Sequence, residues 1–200
     1  KNYLENELQD IDGINTIKEY FDKAINEKDP TYLLTAYTAE TDFYTTLNVD
    51  LAKLQLENLT AKENLSLTYY IGIIARHPKL EILSYTGKVF RGMMITANDV
   101  KKYKVGSRIL TKTFSSTSKQ RNVASTFHAK KTDKDDRLST LCIYEIRNPR
   151  TALDIQQMSL FQYEEEVLIL PYSAFKIIDI QQNENRSPQI EIKLKESEPW

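Results

Sequence analysis

Three consecutive carboxylates, Glu164, Glu165 and Glu166, run directly into the apolar stretch Val167-Leu168-Ile169-Leu170. If that stretch is a strand that begins at the carboxylates, Glu164 and Glu166 share one face and Glu165 points away. Two like charges on one face are costly unless a cation lies between them or positive charge develops there during a reaction. Cleavage of a glycosidic bond generates such charge at a sugar carbon, and paired carboxylates are the usual device for stabilising it. Taken alone, the run reads first as the polar start of a buried strand.

Two other stretches carry chemistry. Thr86-Gly-Lys-Val-Phe-Arg-Gly92 alternates like a strand and ends in an arginine followed by glycine. Arginine suits bidentate phosphate recognition, and glycine lets a ligand approach the backbone. On its own, Arg91 reads as half of a structural ion pair. Phe114-Ser-Ser-Thr-Ser118 places hydroxyls after a strand, with no His–Asp partnership to make one of them a nucleophile. A serine here is better suited to positioning another group, and by itself the run is a turn or a helix cap.

The elements that must position these residues change character along the chain. Residues 14–27 carry Ile14, Ile17, Tyr20, Phe21 and Ile25 at helical spacing, closed by Pro30. Residues 31–37 and 65–76 predict further helices, the latter ended by His77-Pro78. Asp42 is the expected N-cap of a helix over 43–54. Beyond these lie short β-type runs at 80–83, 88–94, 109–114, 141–146, 166–170, 174–180 and 190–194, with a short helix at 119–127. Helices first and strands afterwards predict an α+β domain with a mostly antiparallel sheet. The stretch 130–137 is a mixed-charge loop.

Bulk properties bound the function. Two hundred residues fit one domain, long enough to bury roughly 70% of the unfolded surface. With 40% hydrophobic and 28% charged residues, the composition is that of an ordinary globular protein. A net charge of -1 gives no global field to gather nucleic acid, and Lys101, Lys102 and Lys104 read as a solvated loop. One cysteine, Cys142, forbids an intrachain disulfide, and with two histidines, His77 and His128, argues against a zinc site. No stretch reaches the roughly 18 apolar residues of a membrane span, and no signal peptide is visible. Sequons at Asn58, Asn64 and Asn185 would matter in a secreted protein.

Taken in order, Phe90-Arg-Gly92, Phe114-Ser-Ser-Thr-Ser118 and Glu164-Glu-Glu166 before Val167 resemble the arginine-specific mono-ADP-ribosyltransferases, the class with Arg, Ser-Thr-Ser and Glu-x-Glu elements. Ala36-Tyr-Thr38 with Phe43-Tyr-Thr-Thr-Leu-Asn48 looks like a helical segment of that family, and Ala124-Ser-Thr-Phe127 is similar to the segment just beyond its Ser-Thr-Ser. The resemblance covers roughly residues 37–180. It implies a helical region over 1–79 packed on a mixed, mostly antiparallel β core over 80–200, whose two sheets form an NAD cleft in a single catalytic domain.

The resemblance also implies roles. Arg91 would hold the NAD pyrophosphate, and Gly92 would open the backbone near the nicotinamide amide. Ser116 would fix the nicotinamide ribose or orient Glu166. Thr117 and Ser118 would shape the strand and the nicotinamide pocket, which Phe127 would line. Glu166 would grip the ribose 2'-hydroxyl and stabilise the oxocarbenium-like transition state. Glu164 would position and help deprotonate an incoming guanidinium, and Phe161 would contribute to acceptor recognition. Glu165 has no assigned role. The implied reaction moves ADP-ribose from NAD, the co-substrate, to an exposed arginine of an acceptor protein. No metal and no nucleic-acid partner is expected, and of the open oligomeric states a monomer is favoured. The alternatives are an NAD glycohydrolase that uses water and, from another class, a non-catalytic binding module on the same fold.

Overall fold

The computed structural model describes residues 12–39, 41–55, 57, 61–127, 137–183 and 187–197. Among these residues, four α-helices come first: α1 Ile14–Asn26, α2 Thr31–Thr38, α3 Phe43–Lys53 and α4 Leu65–Arg76. Eight strands come after them: β1 Gly87–Ile95, β2 Arg108–Thr111, β3 Ser115–Ser118, β4 Leu138–Ile146, β5 Ala152–Asp154, β6 Glu166–Ile169, β7 Ser173–Gln182 and β8 Ile190–Glu196. Two short helices interrupt them, α5 Ala97–Val100 and α6 Arg121–Thr126. The α+β class and the helical-then-stranded order are as the sequence predicts.

Local chemistry explains where the elements depart from expectation. Residues 80–83 lie in the 3-10 segment Pro78–Leu83, not in a strand. Pro78 presets the first turn, and the His77 Nδ1 accepts the Lys79 N–H at 3.2 Å. Asp42 stands at the N-cap of α3, but its side chain makes no cap bond. Thr41 Oγ1 accepts the Phe43 N–H instead, at 3.2 Å. The expected strand at 109–114 stops at Thr111, and the hydroxyl run Ser115–Ser118 forms a strand of its own. The mixed-charge loop, apart from Arg137, lies outside the described residues, as do His128 and the sequons at Asn58 and Asn185.

The strands lie in the order β2-β7-β8-β4-β1-β3-β6-β5, antiparallel except for the parallel pair β4–β8. Among the described residues, β1 and β3 share the single register pair Phe90–Ser118. That rung joins a five-strand wing, β2-β7-β8-β4-β1, to a three-strand wing, β3-β6-β5. The expected pair of sheets is thus one strand order with a narrow junction.

Strand β6 is buried along its whole length because both of its faces are covered. Leu168 and Leu170 join the core beneath the helices, with Leu34, Phe43, Leu47, Leu51 and Ile74. Val167 and Ile169 join a second core with Val89, Tyr144, Phe175, Ile177 and Leu194. A strand covered on both sides reads as an unbroken apolar run, which accounts for Val167 to Leu170. Cys142 lies in the second core 3.7 Å from Met93 Sδ, and burial pushes its thiol up to about 11, as suits an inert buried side chain.

Candidate functional site

The register across the junction assembles the site. Ser118 pairs with Phe90 of β1 on one side and with Glu166 of β6 on the other, so three segments remote in sequence meet in one transverse row. Directly paired residues point to the same face, and alternation then sorts the strand. Ser116 and Ser118 share their face with Leu168 and Glu166, the face that meets the helices. Thr117 pairs with Val167 and turns to the opposite core, where its hydroxyl donates to the Val167 carbonyl at 2.5 Å.

Arg91 exploits the missing rungs. Continued past Phe90–Ser118, an antiparallel register would set Gly92 opposite Ser116, but the ladder stops first. The Ser116 carbonyl, which a peptide N–H would satisfy in a continuous ladder, accepts from Arg91 Nη1 at 2.8 Å. The guanidinium therefore stands in the opening between the two wings. It remains close enough to Glu166 to favour that side chain's ionised form. Gly92, beside it, pairs with Leu141 in β1–β4.

Glu166 is 6% exposed at the first position of β6. Burial pushes its carboxyl above the usual carboxylate range, and the charge of Glu164 pushes the same way. Hydrogen bonds from Ser116 and Ser159 and the nearby Arg91 oppose the rise. The Ser159 hydroxyl lies 3.4 Å from Glu166 Oε2. Glu164 is half-buried, and burial raises its carboxyl too. The site therefore holds two carboxylates that the fold makes more basic than usual, with one guanidinium beside them.

The carboxylates meet by a different device from strand alternation. Gln162–Glu164 is a 3-10 turn, Glu165 then takes the left-handed conformation at φ 45°, and the strand begins at Glu166. The Ser118 hydroxyl donates to the Glu164 carbonyl at 2.6 Å and accepts the Gln120 N–H at 2.9 Å. Glu165 lies outside the strand, and its two carboxylate oxygens accept from Gln120 Nε2 at 3.2 Å each. Phe161 precedes the turn, with its ring 6.1 Å from that of Tyr163 at 86°; Tyr163 is 72% exposed. Phe127 comes directly after α6, which packs against β1 and β3, but it is 54% exposed and takes no part in the bonded network among the described residues.

Three members of the network were given no role at the level of sequence. The Tyr37 hydroxyl, from α2, meets Ser116 and accepts from Asn48 Nδ2 of α3 at 3.1 Å. A donor chain can therefore run from Asn48 through Tyr37 and Ser116 to the Glu166 carboxylate. The Tyr37 ring is held 5.4 Å from Phe114, and Phe114 packs in turn on Tyr70 at 6.2 Å. Such pairs add about 0.5–1.5 kcal/mol each beyond area burial. The helical layer is thus tied by aromatics to the residue just before β3. Tyr37 and Asn48 lie in the helical segment that the family resemblance quotes, but nothing in their spacing marks them as partners of Ser116. Ser159 had no signal, since its place depends on the fold of the segment before β6.

A buried acceptor close to this network is unsatisfied. Asn48 Oδ1 has no hydrogen-bond partner among the described residues, although its amide nitrogen is engaged by Tyr37. A buried acceptor beside a hydroxyl chain, a guanidinium and two carboxylates fits a ligand that brings hydroxyl or amide donors together with anionic oxygens. Among the described residues no cluster of three or more His, Cys, Asp or Glu could hold a metal ion. No helix among them is long and apolar enough to cross a membrane.

Comparison with known proteins converges on one group. The family model described as NAD:arginine ADP-ribosyltransferase matches residues 22–198. No curated protein matches the chain in sequence. The Vis toxin, an ADP-ribosyltransferase from Vibrio splendidus, is 20% identical, with 92% of this chain and 84% of that one aligned at a TM-score of 0.61. Its agmatine complex is 19% identical over the same shares, at 0.61. Exoenzyme S from Pseudomonas aeruginosa, solved with human 14-3-3 protein beta and bound to carba-NAD, is 16% identical over 84% of this chain and 73% of that one, at 0.56. At these identities the likeness is one of fold.

Proposed function

Since the chain belongs to the NAD:arginine ADP-ribosyltransferase family and its co-substrate is accordingly NAD, we propose that it transfers ADP-ribose to the guanidinium of arginine in acceptor proteins and releases nicotinamide. The observation that carries this reading is the pairing of a buried Glu166, hydrogen-bonded by Ser116 and Ser159, with a second carboxylate, Glu164, close enough to raise it. The agmatine complex of the Vis toxin supports an arginine-like acceptor, agmatine being a guanidinium compound. Carba-NAD bound to exoenzyme S supports NAD in the same fold.

In this reading the chain's residues divide the work. Arg91, placed in the opening between the wings, binds the pyrophosphate with the donors that Ser116 leaves free. Gly92 leaves room beside the nicotinamide. Ser116 holds Glu166, and the orphan Asn48 Oδ1 accepts from a substrate hydroxyl or amide. As the bond to nicotinamide breaks, positive charge appears on the ribosyl carbon, and the Glu166 carboxylate stabilises it at close range in a water-poor setting. Glu164, made more basic by burial, aligns the guanidinium and takes a proton as the new carbon–nitrogen bond forms. Phe161, with Tyr163, borders the approach of the acceptor. Ser118 and Thr117 hold the strand that carries Ser116. Arg91, Ser116 and Glu166 are thus the Arg–Ser–Glu set that names this class of transferase.

The test measures nicotinamide release and ADP-ribosyl-agmatine formation from labelled NAD. Glu166→Gln is expected to abolish both. Glu164→Gln is expected to lose transfer to agmatine and keep hydrolysis of NAD. Equal transfer by Glu164→Gln and the parent would remove Glu164 from the acceptor step, and a parent that made no adduct would leave water as the acceptor.

A further inference from the structure

We infer that Lys119 and Gln120, the two residues directly after β3, clamp the segment between β5 and β6 at both ends and thereby set the ratio of transfer to hydrolysis; this inference rests on the arginine-transfer reading above. The segment carries Ser159, Phe161 and Glu164. At its start, Lys119 Nζ donates to Asp154 Oδ2 at 2.6 Å and to Gln156 Oε1 at 3.0 Å. At its end, the Lys119 N–H donates to the Glu165 carbonyl at 3.1 Å, and Gln120 Nε2 reaches both Glu165 carboxylate oxygens. Two adjacent residues thus tether both ends of the segment to one strand exit.

The clamp acts where the backbone most needs it. Glu165 occupies the left-handed region, which side chains other than glycine and asparagine rarely adopt. Such a conformation persists when surrounding bonds over-determine it. Here those bonds are the Lys119 amide, the Gln120 side chain, and the Ser118 hydroxyl on the preceding carbonyl. The turn at Glu165 is what brings Glu164 beside Glu166. Glu165 therefore serves as an anchor whose carboxylate is taken up by Gln120.

The two carboxylates depend on the clamp unequally. Glu166 belongs to β6 and is held by the ladder to β3 and by the Ser116 side chain. Glu164 belongs to the turn, and its main chain is held by the Ser118 hydroxyl and by the bonds that fix Glu165. Loosening the clamp displaces the acceptor-side carboxylate and leaves the NAD-cleaving one seated. Lys119 and Gln120 are positioning residues and touch neither substrate.

The test uses the whole chain with agmatine and labelled NAD, and compares Gln120→Ala with Gln120→Lys, which keeps a donor for Glu165. Gln120 is exposed, so neither variant disturbs a core. Gln120→Ala is expected to lower agmatine transfer about fivefold, as loss of an exposed bond to a charged group allows, with nicotinamide release in the absence of agmatine unchanged within about twofold. Amide exchange in the peptide spanning 160–166 should quicken, and Gln120→Lys should restore the parental ratio and exchange. A parent that transfers to agmatine, with a Gln120→Ala ratio equal to its own, would overturn the clamp alone. A parent that transfers to no guanidinium would overturn this inference together with the reading beneath it.

Discussion

Replacing Glu166 by glutamine should make the protein more stable at neutral pH while removing its activity. The fold raises the Glu166 carboxyl, chiefly by burial and next by the charge of Glu164. The native state therefore disfavours the ionised side chain relative to the unfolded chain. Glutamine has the same shape, carries no charge and can still accept from Ser116 or Ser159, though with a weaker, uncharged acceptor. A buried ion carries an effective desolvation penalty of up to about several kcal/mol, which a neutral side chain of the same shape avoids. The weakened hydroxyl contacts and the lost attraction to Arg91 argue for the low end, about 1 kcal/mol, or about 2–4 °C in Tm for a chain of this size. The sign fixes the pH dependence. Above the folded pKa the parental carboxylate is charged and the penalty is complete. As pH falls through that value, the native state takes up the proton before the unfolded state does. The advantage of glutamine then shrinks and is gone below the unfolded value, about pH 4. Thermal unfolding of parent and variant from about pH 8 to about pH 4 measures this. A variant less stable than the parent at neutral pH, or a gain that does not change with pH, would refute the account of burial and charge given for this side chain.

Other perturbations test neighbouring links. Arg91→Lys should raise the KM for NAD by about tenfold or more, because one ammonium cannot both hold the Ser116 carbonyl and fork onto a pyrophosphate; nicotinamide-release kinetics give the value. Tyr37→Phe removes the hydroxyl that joins Asn48 to Ser116 and should cost about 1–2 kcal/mol in denaturant unfolding, with slower nicotinamide release. Arg150→Ala frees the Ala75 and His77 carbonyls near the C-terminal end of α4, and should cost about 1–3 kcal/mol while leaving the KM for NAD unchanged.

Much of this was legible because it rests on local patterns. Apolar spacing marked α1 to α4, and the order of helices before strands gave the fold class. The three motifs named Arg91, Ser116 and Glu166, which the register across β1, β3 and β6 brings together. What stayed hidden depends on contacts between distant residues. The approach of Tyr37 to Ser116 is set by the aromatic stack on Phe114, which no window of sequence contains. Glu165 carries no signal of its role in the sequence, because strand alternation does not describe a residue that sits in a left-handed turn. Residues 80–83 looked like a strand because their apolar density outweighed the helical start supplied by His77 and Pro78. Ser115–Ser118 looked like a turn because hydroxyl side chains favour one, yet pairing with the apolar β6 holds them extended.

The junction between the wings has a consequence for recognition. An arginine side chain in water samples many rotamers, and a ligand that captures it must freeze them. Arg91 is held at rest by a main-chain oxygen of the facing strand, so in the proposed reading its planar head is already fixed before the pyrophosphate arrives. The gap in the ladder thus works as a mould: leaving out a few peptide contacts allows a cation to be set in place by the backbone itself.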